Sequence, residues 1–325
     1  MVSSSLSDIS TMLPSFNAKY IISKGFISFI FSASVIEVTT VESLHKALLK
    51  AKPGIVISIA PGTYDYSEYQ GSSKFYGTTD GTKLEPITLT AQDPKNPPVL
   101  TGSNVSHNYV LHITGDYWII ENLKITNSQK GIVLDNSNYS IVRNCEISMT
   151  GAEAIAIRDG SSNCLVQKCY IHNTGLITPG YGEGVYIGSS KSTNEYGYNC
   201  DNNTIEGCIF KDIAAEPIDI KEFTTGQEIF GCIFYGDGMS GANYAGSFVD
   251  IAGNDCYVHD NVGYRNKNPK VEAAFEVHRL AEGWGDGNRF ENNVVYMDRP
   301  YGEVDTNKKM YVVDGWNMQF SVKNN

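Results

Sequence analysis

A short pattern recurs along this chain and restricts its fold more than any other feature. An apolar pair is followed by Asn or Gly and then a small apolar residue. It reads Ile119-Ile120-Glu121-Asn122-Leu123, Ile141-Val142-Arg143-Asn144-Cys145, Leu165-Val166-Gln167-Lys168-Cys169 and Thr204-Ile205-Glu206-Gly207-Cys208. It continues through Ile229-Phe230-Gly231-Cys232, and further copies end on Val262 and Val294. Copies fall roughly two dozen residues apart, with longer intervals where a loop is inserted, which is the period of a solenoid whose coils touch only their neighbours. Each coil carries a second segment in which apolar residues flank one other position: Leu111-His112-Ile113, Ile132-Val133-Leu134, Ile155-Ala156-Ile157, Val185-Tyr186-Ile187, Ile218-Asp219-Ile220, Val249-Asp250-Ile251, Phe275-Glu276-Val277 and Tyr311-Val312-Val313. Alternation of period two marks a strand with one face in the core. The expected fold class is all-β, a single-stranded right-handed parallel β-helix over residues 35–325. A short amphipathic helix over Val41–Ala51 caps its N-terminal end.

The 31 Gly, the 20 Tyr and a charged fraction of only 19% suit a turn-rich β protein. A net charge of −11 argues against nucleic acid as a partner, because no basic stripe is available to displace counterions. The apolar run Gly25–Ile36 follows Lys19 and Lys24 and contains Ser32, Ala33 and Ser34. It is too short to span a bilayer and has the order of a signal peptide, so residues 1–34 read as a signal peptide or N-terminal extension, with Met12 an alternative start. The expected location is extracellular, the expected state a monomer, and Asn104, Asn138 and Asn202 head glycosylation sequons. Cys145, Cys169, Cys208 and Cys232 fall in one interior column. Cys164, Cys200 and Cys256 lie outside it, and a Cys164–Cys200 disulfide is one possible pairing in an oxidising compartment. No Cys-x-x-Cys spacing calls for a structural zinc.

If coils share a register, their outward residues also stack. One column then runs Ala156, Tyr186, Asp219, Asp250 and Glu276. Ahead of it on the chain run Glu153, Glu183, Glu216 and Ser247, and behind it Arg158, Gly188, Lys221, Ala252 and His278. Acids one rung apart repel, so three in a row call for a compensating cation. With Lys221 and Glu222 alongside, this face is a candidate metal and substrate site, and oxygen donors from several rungs suit Ca²⁺. The bland alternative is a hydrated polar face. The inserts Leu176–Asn199 and Asp237–Gly246 would wall a groove beside it.

Ile57-Ser58-Ile59-Ala60-Pro61-Gly62-Thr63-Tyr64, Pro86-Ile87-Thr88-Leu89-Thr90-Ala91 and the coil repeat are similar to the pectate lyase (pectin lyase-like) superfamily of parallel β-helices. That resemblance implies an extracellular polysaccharide as partner and a lyase acting on an acidic, uronate-containing polymer. It implies Ca²⁺ held by Asp219, Asp250, Glu216 and Glu276. Glu216-Pro217-Ile218-Asp219-Ile220-Lys221-Glu222 resembles the arrangement of carboxylates and base, with Lys221 taking the C5 proton and His278, Arg279 or Tyr186 assisting the leaving oxygen. Tyr186, Arg158, Glu222 and Trp284 would contact substrate. Two other readings stay open. An inverting glycoside hydrolase would use carboxylates two rungs apart, although the Asn-Thr-Asp, Asp-Asp, His-Gly and Arg-Ile-Lys set of polygalacturonases is not found. A non-catalytic carbohydrate-binding surface protein would use the aromatics as stacking platforms.

Overall fold

The structure, a computed structural model, describes residues 18–23, 26–31, 34–298, 311–313 and 320–323, with side chains over 34–298. Three parallel sheets of 11, 9 and 9 strands wrap the chain into a right-handed β-helix, each coil giving one strand to each sheet. The first sheet runs from Ser34–Val38 and Ile55–Ile59 to Asn288–Glu291 and Phe320–Lys323. Its inward column is Ile57, Leu89, Ile120, Val142, Val166, Ile205, Ile229, Val258 and Phe290. All are buried. Each such side chain contributes about 1.5–3 kcal/mol on leaving water, so every coil reinforces the register of the next.

The Asn or Gly of the repeat now has a physical reason. Asn122, Asn144, Lys168, Gly207, Gly231, Asp260 and Asn292 all have positive φ, between 52° and 64°. They occupy the left-handed corner between the first and second sheets, where Gly and Asn carry little steric penalty. Cys145, Cys169, Cys208 and Cys232 follow that corner and point inward, all buried. From Cys232 the ladder passes to Asn261, not to the expected endpoint Val262, because Phe230 is paired with His259. The Asn261 amide accepts from the Cys232 N–H at 2.9 Å and donates to the Ile229 carbonyl at 3.0 Å and to Asn293 Oδ1 at 2.9 Å. A buried amide is tolerated there because its hydrogen bonds are made inside. All seven cysteines are free, so the Cys164–Cys200 disulfide is not formed.

The N-terminal helix spans Val41–Leu49, two residues shorter than the pattern suggested. Thr40 caps it by accepting from the Ser43 N–H, and Leu44, Ala47 and Leu48 close the open end of the core. Of the apolar run at the N-terminus, Phe26–Phe31 pairs antiparallel with Ala18–Ser23, while Val35 and Ile36 sit in the first rung. Met12 lies outside the described residues. Among those residues no helix is long and apolar enough to cross a membrane.

Candidate active site

The third sheet carries the acidic columns. Register along it pairs Ala156 with Tyr186, Tyr186 with Asp219, Asp219 with Asp250, and Asp250 with Glu276. Neighbouring strands lie about 4.8 Å apart. Residues distant in sequence thus become lateral neighbours, as the shared register required.

The acids separate into two groups. Glu183, Glu216 and Asp219 are buried and bring one carboxylate oxygen each to within 4.8 Å of one another. Burial pushes the Glu183 carboxyl well above its usual range, and the charges of Asp219 and Glu153 add to the effect. Burial does the same for Glu216, reinforced by Asp219, Asp250 and Glu183. The second group is Asp250, Glu276 and His278. His278 reaches Glu276 at 2.7 Å and Asp250 at 3.4 Å. Burial raises the Asp250 carboxyl to about 7, against the opposing pull of His278 and with the repulsion of Asp219. The four acids expected to act as one ligand set, Asp219, Asp250, Glu216 and Glu276, are therefore divided between two clusters. Glu183 completes the first, and its position in the column was the available signal.

Lys221 lies beside the first group. Its Nζ is 2.7 Å from Asp219 Oδ2 and 5.4 Å from the Tyr186 ring centroid. Burial alone would favour the neutral amine, but the Asp219 carboxylate outweighs it and holds the ammonium above its ordinary pKa. Burial, then Asp219, likewise raises the Tyr186 phenol, so its proton is retained at neutral pH. Lys221, Tyr186, Glu183 and Glu153 line a cleft of about 380 Å³ with Arg158, Tyr196 and the loop Ser189–Thr193. The two inserts meet at its wall, where Asn243 Nδ2 donates to the Gly180 carbonyl at 3.1 Å.

The remaining site candidates take varied positions. Arg158 lines the cleft but is fixed to Asp135 by two bonds of 2.9 Å, with Tyr196 over its guanidinium at 4.4 Å. Glu222 is buried and accepts from the Lys191 N–H at 2.7 Å, which anchors the cleft loop. Arg279 pairs with Asp286 at 2.8 Å, and Trp284 meets Phe223 edge-on at 5.5 Å. Neither Arg279 nor Trp284 lines the cleft.

Residues 32–246 match the family of Pel9A-like, right-handed β-helix regions. Among solved structures the chain is similar to an alginate lyase from Paenibacillus sp. str. FPU-7, with a TM-score of 0.79 and 37% identity over 90% of this chain and 98% of that one. It is similar in fold to pectate lyase Pel9A, with a TM-score of 0.61 and 16% identity over 82% of this chain and 78% of that one. A rhamnogalacturonan lyase shares the fold with a TM-score of 0.53 and 16% identity, covering 77% and 68% respectively. No curated protein sequence matches the chain. On the family match and the 37% identity, the chain belongs to the Pel9A-like right-handed β-helix family of the pectin lyase-like superfamily.

Proposed function

We propose that this protein is a secreted polysaccharide lyase that cleaves a polyuronate, with alginate the first substrate to try, by β-elimination. The observation that carries the reading is Lys221 and Tyr186 side by side in a cleft beside three buried carboxylates. The likeness to an alginate lyase supports the polymer. The apolar N-terminal run and an extracellular polymer support secretion.

The carboxylates fit a hard divalent cation. Glu183, Glu216 and Asp219 form a convergent oxygen set, and Glu183 Oε2 has no hydrogen-bond partner among the described residues. Such a set suits Ca²⁺, which bound there would neutralise the acids and polarise a substrate carboxylate. The second cluster, Asp250 and Glu276 with His278, adds oxygen donors one and two rungs away.

Once the Asp219 charge is engaged, burial of Lys221 favours its neutral amine, which can then accept a proton. Lys221 Nζ takes the hydrogen from C5 of the uronate, the C5–H electron pair forms the C4=C5 double bond, and the C4–O bond breaks. The departing oxygen takes the proton of the Tyr186 phenol. His278 and Arg279, also candidates for that donation, are engaged by Glu276 and Asp286. Incubation with alginate, polygalacturonate and rhamnogalacturonan, with and without chelator, tests the reading. Elimination gives an unsaturated product absorbing in the ultraviolet. New reducing ends without that absorbance would assign hydrolysis instead.

A further inference from the structure

Toward the N-terminal rungs the same face carries a different set of groups. Lys74 Nζ donates to His112 Nδ1 at 2.7 Å, and His112 Nε2 donates to Asp135 Oδ2 at 2.9 Å. The His112 ring thus bridges the Lys74 amine and the Asp135 carboxylate. Arg158 grips the same Asp135 carboxylate with two bonds. Burial would raise the Asp135 carboxyl, but His112 and Arg158 overcome this and hold it below its usual range. Two cations therefore share one anion. Lys130, the next cation on this face, is paired with Glu153 and adds no net charge. Among Lys74, Arg158 and Lys130 against Asp135 and Glu153, one positive charge remains, on a chain whose overall charge is −11.

Burial, and then Arg158, disfavour the charge on Lys74 while Asp135 favours it, and its half-buried amine lies 4.7 Å from the Tyr76 ring and 5.7 Å from the Tyr109 ring. Tyr109 also lies 5.8 Å from the Arg158 guanidinium. Rings beside cations are the composition that receives a sugar face and its carboxylate together. The set is continuous with the cleft, because Arg158 and Tyr196 line it with Lys221. His112 is four rungs from Asp219 through Val133, Ala156 and Tyr186, about 19 Å along the stack. The C-terminal rungs are opposite in sign, with Asp250 and Glu276 against His278.

We propose that Lys74, with Tyr76 and Tyr109, forms a distal subsite for a uronate carboxylate, so that the polymer lies along the stack from Lys221 toward the N-terminal rungs. The proposal rests on the polyuronate reading. It makes the enzyme sensitive to chain length: an alginate hexamer reaches Lys74 from Lys221, and a dimer does not.

The test is calorimetric binding of both oligomers to Lys221→Ala and to Lys221→Ala with Lys74→Ala, each confirmed folded by its thermal melt. KM in the wild-type background gives the same comparison independently. Loss of Lys74 should weaken hexamer binding about fivefold, the scale of one partly exposed charge contact. It should flatten the salt dependence of hexamer binding and leave the dimer unchanged. Lys74→Arg should restore the hexamer, and Lys211→Ala, an exposed lysine on the second sheet, should change neither. Equal binding of the hexamer with and without Lys74, or equal weakening of hexamer and dimer, overturns the subsite. Length-dependent binding through Lys74 with no unsaturated product from the wild type would overturn the elimination and uphold the subsite.

Discussion

Replacing Lys221 by alanine separates the chemistry of this residue from its structural role. The Lys221–Asp219 pair is 2.7 Å long, with side chains 20% and 5% exposed. Removing the ammonium leaves Asp219 buried and without its cation, among acids that already repel it. Breaking a buried pair in this way costs about 3–5 kcal/mol. For a domain of this size that corresponds to a fall in melting temperature on the order of 10 °C. The same change deletes the proposed base, a loss of about 10²- to 10⁴-fold in turnover. Lys221→Ala with Asp219→Ala keeps the two effects apart, because no unpaired charge is left. The double variant should regain most of the melting temperature and none of the activity. Initial rates by ultraviolet absorbance and melts by circular dichroism on wild type, both single variants and the double variant complete the cycle. A folded Lys221→Ala enzyme within tenfold of wild-type turnover refutes the role of Lys221. Recovery of turnover in the double variant would show that charge balance, not the amine, is what the cleft needs.

Tyr186→Phe keeps the ring beside Lys221 and deletes only the phenolic proton, so kcat should fall about 10²-fold or more with little change in KM. An unchanged kcat would place the proton donor elsewhere. In the absence of added metal, stability should decline as pH rises. The Asp250 carboxyl is raised to about 7 in the fold, so the stability linked to it is complete below the unfolded value near 4 and is lost as pH passes 7. The upward shifts of Glu183 and Glu216 act in the same direction. Ca²⁺ at a hundred times its Kd should return about 2.7 kcal/mol, and a melting temperature insensitive to Ca²⁺ from pH 5 to pH 8 would remove the ion from the account. Asn261→Ala should cost about 1–3 kcal/mol by removing the acceptor of the Cys232 N–H and one donor to the Ile229 carbonyl. Denaturant melts that match wild type would show that water replaces the amide.

The columns were legible in the sequence because two signals agree on register: the period-two triplets, and the positive-φ residue, Asn or Gly in five of the seven copies, that turns each corner. Either alone would permit a slip of one residue, and the ladder past Cys232 shows how. Asn261 and Val262 both fit the pattern as text, but only the strand pairing of Phe230 with His259 puts the amide inside. Glu183 shows a different limit. It shares a column with Glu216, yet its flanking residues, Gly182 and Gly184, read as loop. Its oxygen becomes a candidate ligand only when three carboxylates are seen to converge. The Lys74, His112 and Asp135 relay was not legible, because Lys74 lies outside the triplets and Asp135 two residues beyond the centre of its own.

Charge distribution on one sheet bears on how an acidic protein can hold an acidic polymer. Net charge governs long-range encounter, which here is repulsive and screened beyond about 8 Å at physiological salt. Binding is decided at shorter range, where the third sheet is not uniform. Its N-terminal rungs neutralise their acids with Lys130 and Arg158 and retain Lys74, while its middle rungs concentrate Glu183, Glu216 and Asp219 around a single lysine. A polyanion can therefore settle on the first region without help, but it can enter the second only if those acids are protonated or neutralised. If the polymer lies along the stack toward Lys74, as proposed, chelator should affect turnover far more than hexamer affinity. Equal loss of both on chelation would mean that the polymer is held chiefly at the acids, and the division of the face would not describe how substrate is bound.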